Sequence, residues 1–271
     1  MTVFSIGSVH VYWYGLFYLI TCIIGYRFLR WIGKQKRFEN RPWVQKLLTH
    51  GIDDLILRTI IGVMVWGRLG HVFIYEWPYY SQHLSEILAV RRWWMSFIGG
   101  IIGVIIAIFF VERMYKLSRK EFFIIFDLLL LIVPIGIVLG RIGNFLNQEL
   151  YGIVVPEALQ RLWHFKVTHV YPKVDDLLRF NTNFISAFLE WLVTWIIGVI
   201  ILFRQLRHKK WQPGTISIAF IFVYSVVRFM LEFLRQDSQY EHIWPLTTTQ
   251  WFMVLFLGFG FALWYFWKKE D

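Results

Sequence analysis

The chain has 271 residues, of which 57% are hydrophobic, 20% aromatic and only 17% charged, with a mean hydropathy of +0.51; that balance excludes an ordinary water-soluble domain. One cysteine, Cys22, permits no internal disulfide, and no Cys/His cluster has metal-ligand spacing, so neither a metal nor a cofactor is expected. The net charge of +10 suits loops held against anionic lipid, and with no RNA- or DNA-binding motif a nucleic-acid partner is not expected.

One bilayer crossing takes about 20 apolar residues. The apolar runs predict seven helices, over about 11–31, 53–75, 94–112, 121–140, 183–204, 214–234 and 246–267. No strand-like alternation competes with them, and irregular backbone facing lipid would leave unpaired polar groups at several kcal/mol each. The expected fold is therefore all-α: a polytopic membrane protein, one integral membrane domain over 1–271, built as a seven-transmembrane helix bundle with a small external cap. The absence of an evident internal repeat argues against a transporter made of inverted halves.

Lys and Arg set the orientation. The ten residues before the first span carry none, whereas Arg27, Arg30, Lys34, Lys36, Arg37, Arg41 and Lys46 crowd its far end, which predicts an N-terminus outside and a C-terminus in the cytoplasm. Threaded alternately, the inside segments hold 17 basic residues and the outside segments eight, including Arg91, Arg92, Arg161 and Lys166; Arg58, Arg68 and Arg228 fall within spans. The first span lacks a basic flank before its apolar run and does not read as a cleavable signal peptide. The outside segment 141–182, with Tyr151, Gly152, Pro156 and Pro172, is too long for a structureless connection and is expected to be the external cap.

The most informative stretch is Gly140-Arg141-Ile142-Gly143-Asn144-Phe145-Leu146-Asn147-Gln148-Glu149-Leu150-Tyr151-Gly152, at the outer end of the fourth span. A guanidinium offers a planar, permanently charged fork that matches phosphate oxygens, and its weak hydration suits a half-buried site. The pattern fits a lipid phosphate. The plainer alternative is an interfacial arginine that snorkels, with Gly140 and Gly143 permitting close helix packing.

A second cluster lies in the sixth span, where Tyr224, Arg228, Glu232 and Arg235 share one helix face. Ionisable groups within a span face protein or a wet cavity and are paired by default. Arg228 and Glu232 can neutralise each other without any ligand; Arg235, near Asp237, is then left beside Arg141 at the outer side, and arginines converging there make a phosphate clamp. Smaller features are Tyr14-Gly15 in the first span, Arg68 and His71 in the second, and Ser96 with Gly99, Gly100 and Gly103 opening the third. Their bland readings are an interface aromatic, a packing seam and a histidine satisfied within the bundle. Asp127, an acid in the apolar fourth span, is expected to be a counter-ion for a span arginine or to lie near the inner surface.

Taken together, these motifs resemble the prolipoprotein diacylglyceryl transferases of bacterial inner membranes. The resemblance rests on Gly140-Arg141-x-Gly143-Asn144-Phe145-x-Asn147-x-Glu149-x-x-Gly152, with Trp13-Tyr14-Gly15-Leu16, Gly67-Arg68-Leu69-Gly70, Met95-Ser96-Phe97 before Gly99-Gly100, Tyr224 to Arg235, and Leu246-Thr247 with Gln250. It implies seven spans and an enzyme that moves the diacylglyceryl group of phosphatidylglycerol onto the lipobox cysteine of a preprolipoprotein, releasing glycerol phosphate. By the same resemblance Arg141 is the phosphatidylglycerol-binding arginine, Arg228 a second essential one, and Tyr14, Asn144, Glu149 and Gly152 the other important positions. His71 stands as a candidate base, and Arg68, Tyr224 and Arg235 as further substrate contacts. No nucleophile is demanded of the enzyme, because the thiol arrives on the substrate.

Two departures bear on the chemistry. The family normally places a histidine, a proposed base, where this chain has Ile98, and normally reads Arg-His-Pro-Ser-Gln-Leu-Tyr-Glu where this chain has Arg179-Phe180-Asn181-Thr182-Asn183-Phe184-Ile185-Ser186. Three readings follow: the imidazole is dispensable, another group such as His71 replaces it, or the chain is a non-catalytic phosphatidylglycerol binder or carrier. The retained arginine motifs favour an active transferase.

Overall fold

The computed structural model describes residues 2–6, 9–35, 42–87, 95–160, 167–207, 212–236, 242–243 and 245–270, with 2–6, 9–12, 97–98, 206, 242–243 and 266–270 described as backbone only. In chain order the elements are β1 Thr2–Ile6, β2 Val9–Tyr12, α1 Trp13–Gly33, α2 Pro42–His50, α3 Ile52–Gly70, α4 Trp77–Tyr80, α5 Phe97–Tyr115, α6 Arg119–Leu130, α7 Val133–Asn147, α8 Glu157–Gln160, β3 Thr168–Val170, β4 Leu178–Phe180, α9 Thr182–Ser186, α10 Thr194–Arg207, α11 Thr215–Glu232, β5 His242–Ile243, β6 Leu246–Thr247 and α12 Thr248–Glu270. Wide π-helical turns extend α3 over His71–Tyr75 and join α9 to α10 over Ala187–Val193. The strands form three short antiparallel hairpins, so the chain is helical in all but its connections.

Each predicted span coincides with helix, and the protein is a multi-pass membrane protein. By length and composition, six helices among the described residues can cross a bilayer: Trp13–Gly33, Ile52–Tyr75, Arg119–Asn147, Thr182–Gln205, Thr215–Glu232 and Thr248–Tyr265. The expected third span, 94–112, overlaps α5 but is not one of the six, so the count by this measure is six rather than seven. The expected fourth span is longer than predicted: it breaks between α6 and α7, where Pro134 in the first turn of α7 has no N–H to give, and runs on to Asn147. Residues 141–147 of the expected cap are thus the last two turns of a helix. Large exposed apolar residues such as Leu57, Phe110, Ile200, Phe203, Met230 and Leu255 would be a liability in water and are the ordinary lipid-facing complement of such helices.

The chain forms two compact units, Met1–Gly25 with Asp127–Asp271, and Tyr26–Phe126. In the first, Phe220, Tyr224 and Met253 are buried against Leu130, Val133, Ile137, Phe229 and Phe252. Asp127 caps α11 from outside that helix: its carboxylate accepts from the Gly214 and Ser217 backbone N–H groups, each at 2.8 Å, and from the Ser217 hydroxyl. Of its two expected roles, the counter-ion for a span arginine is not what these bonds show; its partners are orphan donors of a helix start. Thr247 and Gln250 cap α12 reciprocally, Gln250 Oε1 accepting from the Thr247 N–H at 3.0 Å and Thr247 Oγ1 from the Gln250 N–H at 3.2 Å.

In the second unit α3 and α5 pack backbone to backbone. A Cβ on Gly70 would meet Gly99 Cα at 2.8 Å, and one on Gly103 has no room against the Gly62 carbonyl, which is the small-residue seam read from the third span. Ser96 begins α5, its Oγ accepting from the Gly99 N–H at 3.2 Å while its own N–H reaches the Gly67 carbonyl at 2.8 Å.

Candidate functional site

Helix α7 presents Arg141 and α11 presents Arg228, and both reach one carboxylate. Arg141 grips Glu190 from both ends of its fork, Nε to Oε2 at 3.1 Å and Nη2 to Oε1 at 3.1 Å. Arg228 Nε stands 3.7 Å from Glu190 Oε1, and its Nη2 is 2.8 Å from Glu232 Oε2. The chain of charge continues to Arg235, whose Nη1 is 3.6 Å from the same Glu232 oxygen, and Thr247 Oγ1 approaches Glu232 Oε1 at 3.5 Å. Glu190 is fully buried, and Arg228, Glu232 and Arg235 are at least nine-tenths buried. The Tyr224 phenol lies within the field of Glu190, Arg228, Arg141 and Arg235.

This alternating series holds three guanidinium groups and two carboxylates. Buried Arg228 Nη1 makes no hydrogen bond among the described residues. A desolvated N–H without a partner is costly, and an anion oxygen is a partner that would satisfy it. The intrahelical pairing of Arg228 with Glu232 is present, yet it does not exhaust Arg228.

Glu190 is the member that sequence reading missed. It sits in the wide turn Ala187–Val193 between α9 and α10, where an inserted residue turns side chains off the usual helical period. Its signal was available: it is the one acid in the span 183–204.

One turn beyond Arg141 a second group assembles. Asn144 Nδ2 donates to the Tyr14 hydroxyl at 2.6 Å, and that hydroxyl donates to Glu149 Oε2 at 3.0 Å. Two local features allow it. A Cβ on Gly143 would fall 2.8 Å from Tyr14 Cε1, so only glycine lets the ring lie on α7, whereas Gly140 faces open space and plays no packing part. The helix then ends in a Schellman turn, Gln148 N–H to the Phe145 carbonyl at 3.0 Å and Glu149 N–H to the Asn144 carbonyl at 2.9 Å. Gln148, at φ 61°, takes the left-handed place usually held by glycine, and Leu150 follows at φ 54°. Each costs on the order of 1 kcal/mol, and together they fold Glu149 back toward Tyr14. The Lys173 N–H donating to Gln148 Oε1 at 2.7 Å and Asn183 Nδ2 donating to the Glu149 carbonyl at 2.8 Å hold the turn in place.

Gly152 closes the site from the other side. Its N–H reaches the Phe180 carbonyl at 3.0 Å, and a Cβ there would lie 2.5 Å from that oxygen and 2.9 Å from the Leu234 carbonyl. The loop pairs with the end of α11, Ile153 N–H to the Leu234 carbonyl at 3.0 Å and Gln236 N–H to the Tyr151 carbonyl at 3.2 Å. Arg179, in β4, ties the pieces together: it bonds Asp175 through Nε at 3.1 Å, the Gly152 carbonyl at 3.2 Å and the Gln236 side chain, and lies over the Tyr151 ring at 5.1 Å. Hydrogen bonding to Arg179 holds the Asp175 carboxyl below its usual range, and the same pairing raises the Arg179 guanidinium further. Burial pushes the Tyr171 phenol, which donates to Asn181 Oδ1 at 3.1 Å, up to about 12. The segment that departs from the family pattern is thus structural here: Asn181 caps α9, accepting from the Phe184 N–H at 3.1 Å, and Thr182 bonds the Leu150 carbonyl at 2.7 Å.

Eight of the ten sequence-predicted site residues, Arg141, Arg228, Arg235, Tyr224, Tyr14, Asn144, Glu149 and Gly152, lie in the first unit and build what is described above. Arg68 and His71 lie in the second. The Arg68 guanidinium donates to the Ile87 carbonyl at 2.8 Å, the Glu86 carbonyl at 3.0 Å and the Tyr80 hydroxyl at 3.1 Å, with the Tyr80 ring beneath it. His71 Nε2 faces Glu76 at 3.5 Å and its ring lies edge-on to Tyr80. The side chain of Ile98, together with Arg91, Arg92, Arg161, Lys166 and Asp237, lies outside the described residues.

The chain is similar to proteins named phosphatidylglycerol–prolipoprotein diacylglyceryl transferase. That of Wolbachia pipientis subsp. Culex pipiens is 35% identical over 244 residues, covering 89% of this chain and 84% of the relative. Those of Rickettsia felis and Mannheimia succiniciproducens are 34% and 32% identical, over 87% and 88% of this chain and 83% and 80% of their own. The family model described as prolipoprotein diacylglyceryl transferase matches residues 1–266, and a match of that extent, joined to relatives of this identity, means that the chain belongs to the prolipoprotein diacylglyceryl transferase family.

Proposed function

We propose that the protein transfers the diacylglyceryl group of phosphatidylglycerol to the lipobox cysteine thiol of a preprolipoprotein, with release of glycerol phosphate. The observation that carries the reading is the meeting of Arg141 and Arg228 on Glu190, with a buried N–H of Arg228 that makes no hydrogen bond among the described residues. A phosphodiester oxygen is an anionic acceptor for that N–H. When the glyceryl C–O bond breaks, charge grows on the departing phosphate, and fixed guanidinium groups in a water-poor site stabilise it by about 3 kcal/mol for each well-placed donor.

In this reading Arg141 and Arg228 hold the phosphate, Tyr224 and Arg235 border it, and Gly152 keeps the loop after α7 against α11. Tyr14, Asn144 and Glu149 serve the incoming thiol. Arg68 and His71 are given no step, because the Arg68 guanidinium is bonded into the segment 80–87 and His71 faces Glu76. The location is a bacterial inner membrane, N-terminus outside, C-terminus cytoplasmic, the site toward the outer leaflet with 148–182 as its cap. A non-catalytic lipid binder gains no support, since the relatives are named as transferases.

The test is lipidation of a lipobox peptide in phosphatidylglycerol vesicles. Arg141→Ala and Arg228→Ala are each expected to abolish thioether formation and glycerol phosphate release; unchanged turnover in both refutes the reading.

A further inference from the structure

The site holds three carboxylates, and two are committed. Glu190 is shared by Arg141 and Arg228, and Glu232 by Arg228 and Arg235. A proton arriving on either has to displace a guanidinium from a buried ion pair, which leaves that charge uncompensated. Glu149 differs from both. It is exposed, and its described partner is the neutral Tyr14 hydroxyl on Oε2.

Its position is nonetheless fixed. The Asn144 amide donates to the Tyr14 hydroxyl, which directs the phenol's own proton onto Oε2, and the Asn147 amide flanks the same phenol. The left-handed residues Gln148 and Leu150 bracket Glu149, a backbone expense that helix termination alone does not explain for Leu150. Arg141 and Asn144 are three residues apart on α7, so this carboxylate group stands about one helical turn from the guanidinium clamp. Ile98 offers no proton acceptor in the third span.

We propose that Glu149 accepts the proton of the substrate thiol on Oε1, with Tyr14 as the positioning residue that holds its other oxygen. The inference rests on the transferase reading above. The S–H proton passes to Glu149, the sulfur lone pair forms the C–S bond at the glyceryl carbon, and the C–O bond breaks with its electron pair going to the phosphate oxygen. Glu149 then returns the proton to the leaving phosphate, which departs as glycerol phosphate.

The experiment compares two lipobox peptides, one with cysteine and one with selenocysteine at the acceptor position, on the full chain in phosphatidylglycerol vesicles. A selenol is ionised at neutral pH and needs no base. In Glu149→Gln, kcat for the cysteine peptide is expected to fall by about 100-fold or more, and that for the selenocysteine peptide by less than about tenfold. Equal losses on the two peptides, or no loss on either, overturn the proposal. If Glu149→Gln fails to retain phosphatidylglycerol through purification, Tyr14→Phe is read by the same ratio: a shift toward the selenocysteine peptide supports the assignment, and an unchanged ratio overturns it. A wild-type protein that forms no thioether sinks the transferase reading, and this inference with it.

Discussion

Arg141 holds both oxygens of Glu190 at 3.0–3.1 Å, and that carboxylate is fully buried. The pairing fixes the fork, so in the proposed reaction Glu190 would set the direction from which a headgroup is met. Removing one partner of a buried pair costs about 3–5 kcal/mol. Glu190→Ala is accordingly expected to unfold at lower temperature in detergent and to lose phosphatidylglycerol binding, measured by lipid retained per protein. Arg141→Lys keeps the charge but not the fork, and at least a tenfold fall in kcat/KM in the vesicle assay is expected.

Gly143 gives a sharper test of the group around Tyr14. Gly143→Ala puts a methyl 2.8 Å from the ring. Overpacking of this kind costs about 1–3 kcal/mol. The displaced ring gives up its bond to Glu149, so kcat falls while phosphatidylglycerol retention holds; Gly140→Ala, with open space around it, leaves both unchanged.

Asp127 predicts a stability effect without a catalytic one. Asp127→Ala strands the N–H groups of Gly214 and Ser217 at the start of α11. A loss of about 1–3 kcal/mol is expected by thermal unfolding in detergent, with kcat intact at low temperature.

Asp175 and Arg179 set the pH behaviour of the cap. A carboxyl held below its ordinary value near 3.8 contributes stability that is present above that value and lost as pH falls through the folded one. Residues 167–180 are therefore expected to keep their protease resistance unchanged from pH 8 down to pH 5 and to lose it only below about 3.8. Asp175→Asn removes the acid step; a resistance that still falls there in this variant excludes the pair as its cause.

The sequence made the spans legible because hydrocarbon thickness imposes one length on every crossing, and it made Arg228 and Glu232 legible because an ionisable residue in lipid demands a reason. Glu190 obeys the same rule and was missed, since a lone acid gives no hint of which helix brings its counter-ion. Asp127 drew attention for its charge, but its partners are main-chain donors of another helix, and such pairings have no spacing to read. The return of Glu149 to Tyr14 depends on left-handed residues at Gln148 and Leu150, where side-chain identity points away from that conformation. Gly143 reads as a packing residue from its spacing, but which ring it admits is settled only by tertiary contact.

The ladder that joins Ile153 to Leu234 and Tyr151 to Gln236 has a mechanical consequence. Arg235 lies between the two rungs, opposite Gly152. In the proposed reaction, a peptide that levered the cap aside would pull on the same main chain that carries this arginine, so admission of one substrate and the grip on the other would be linked through backbone rather than through side chains.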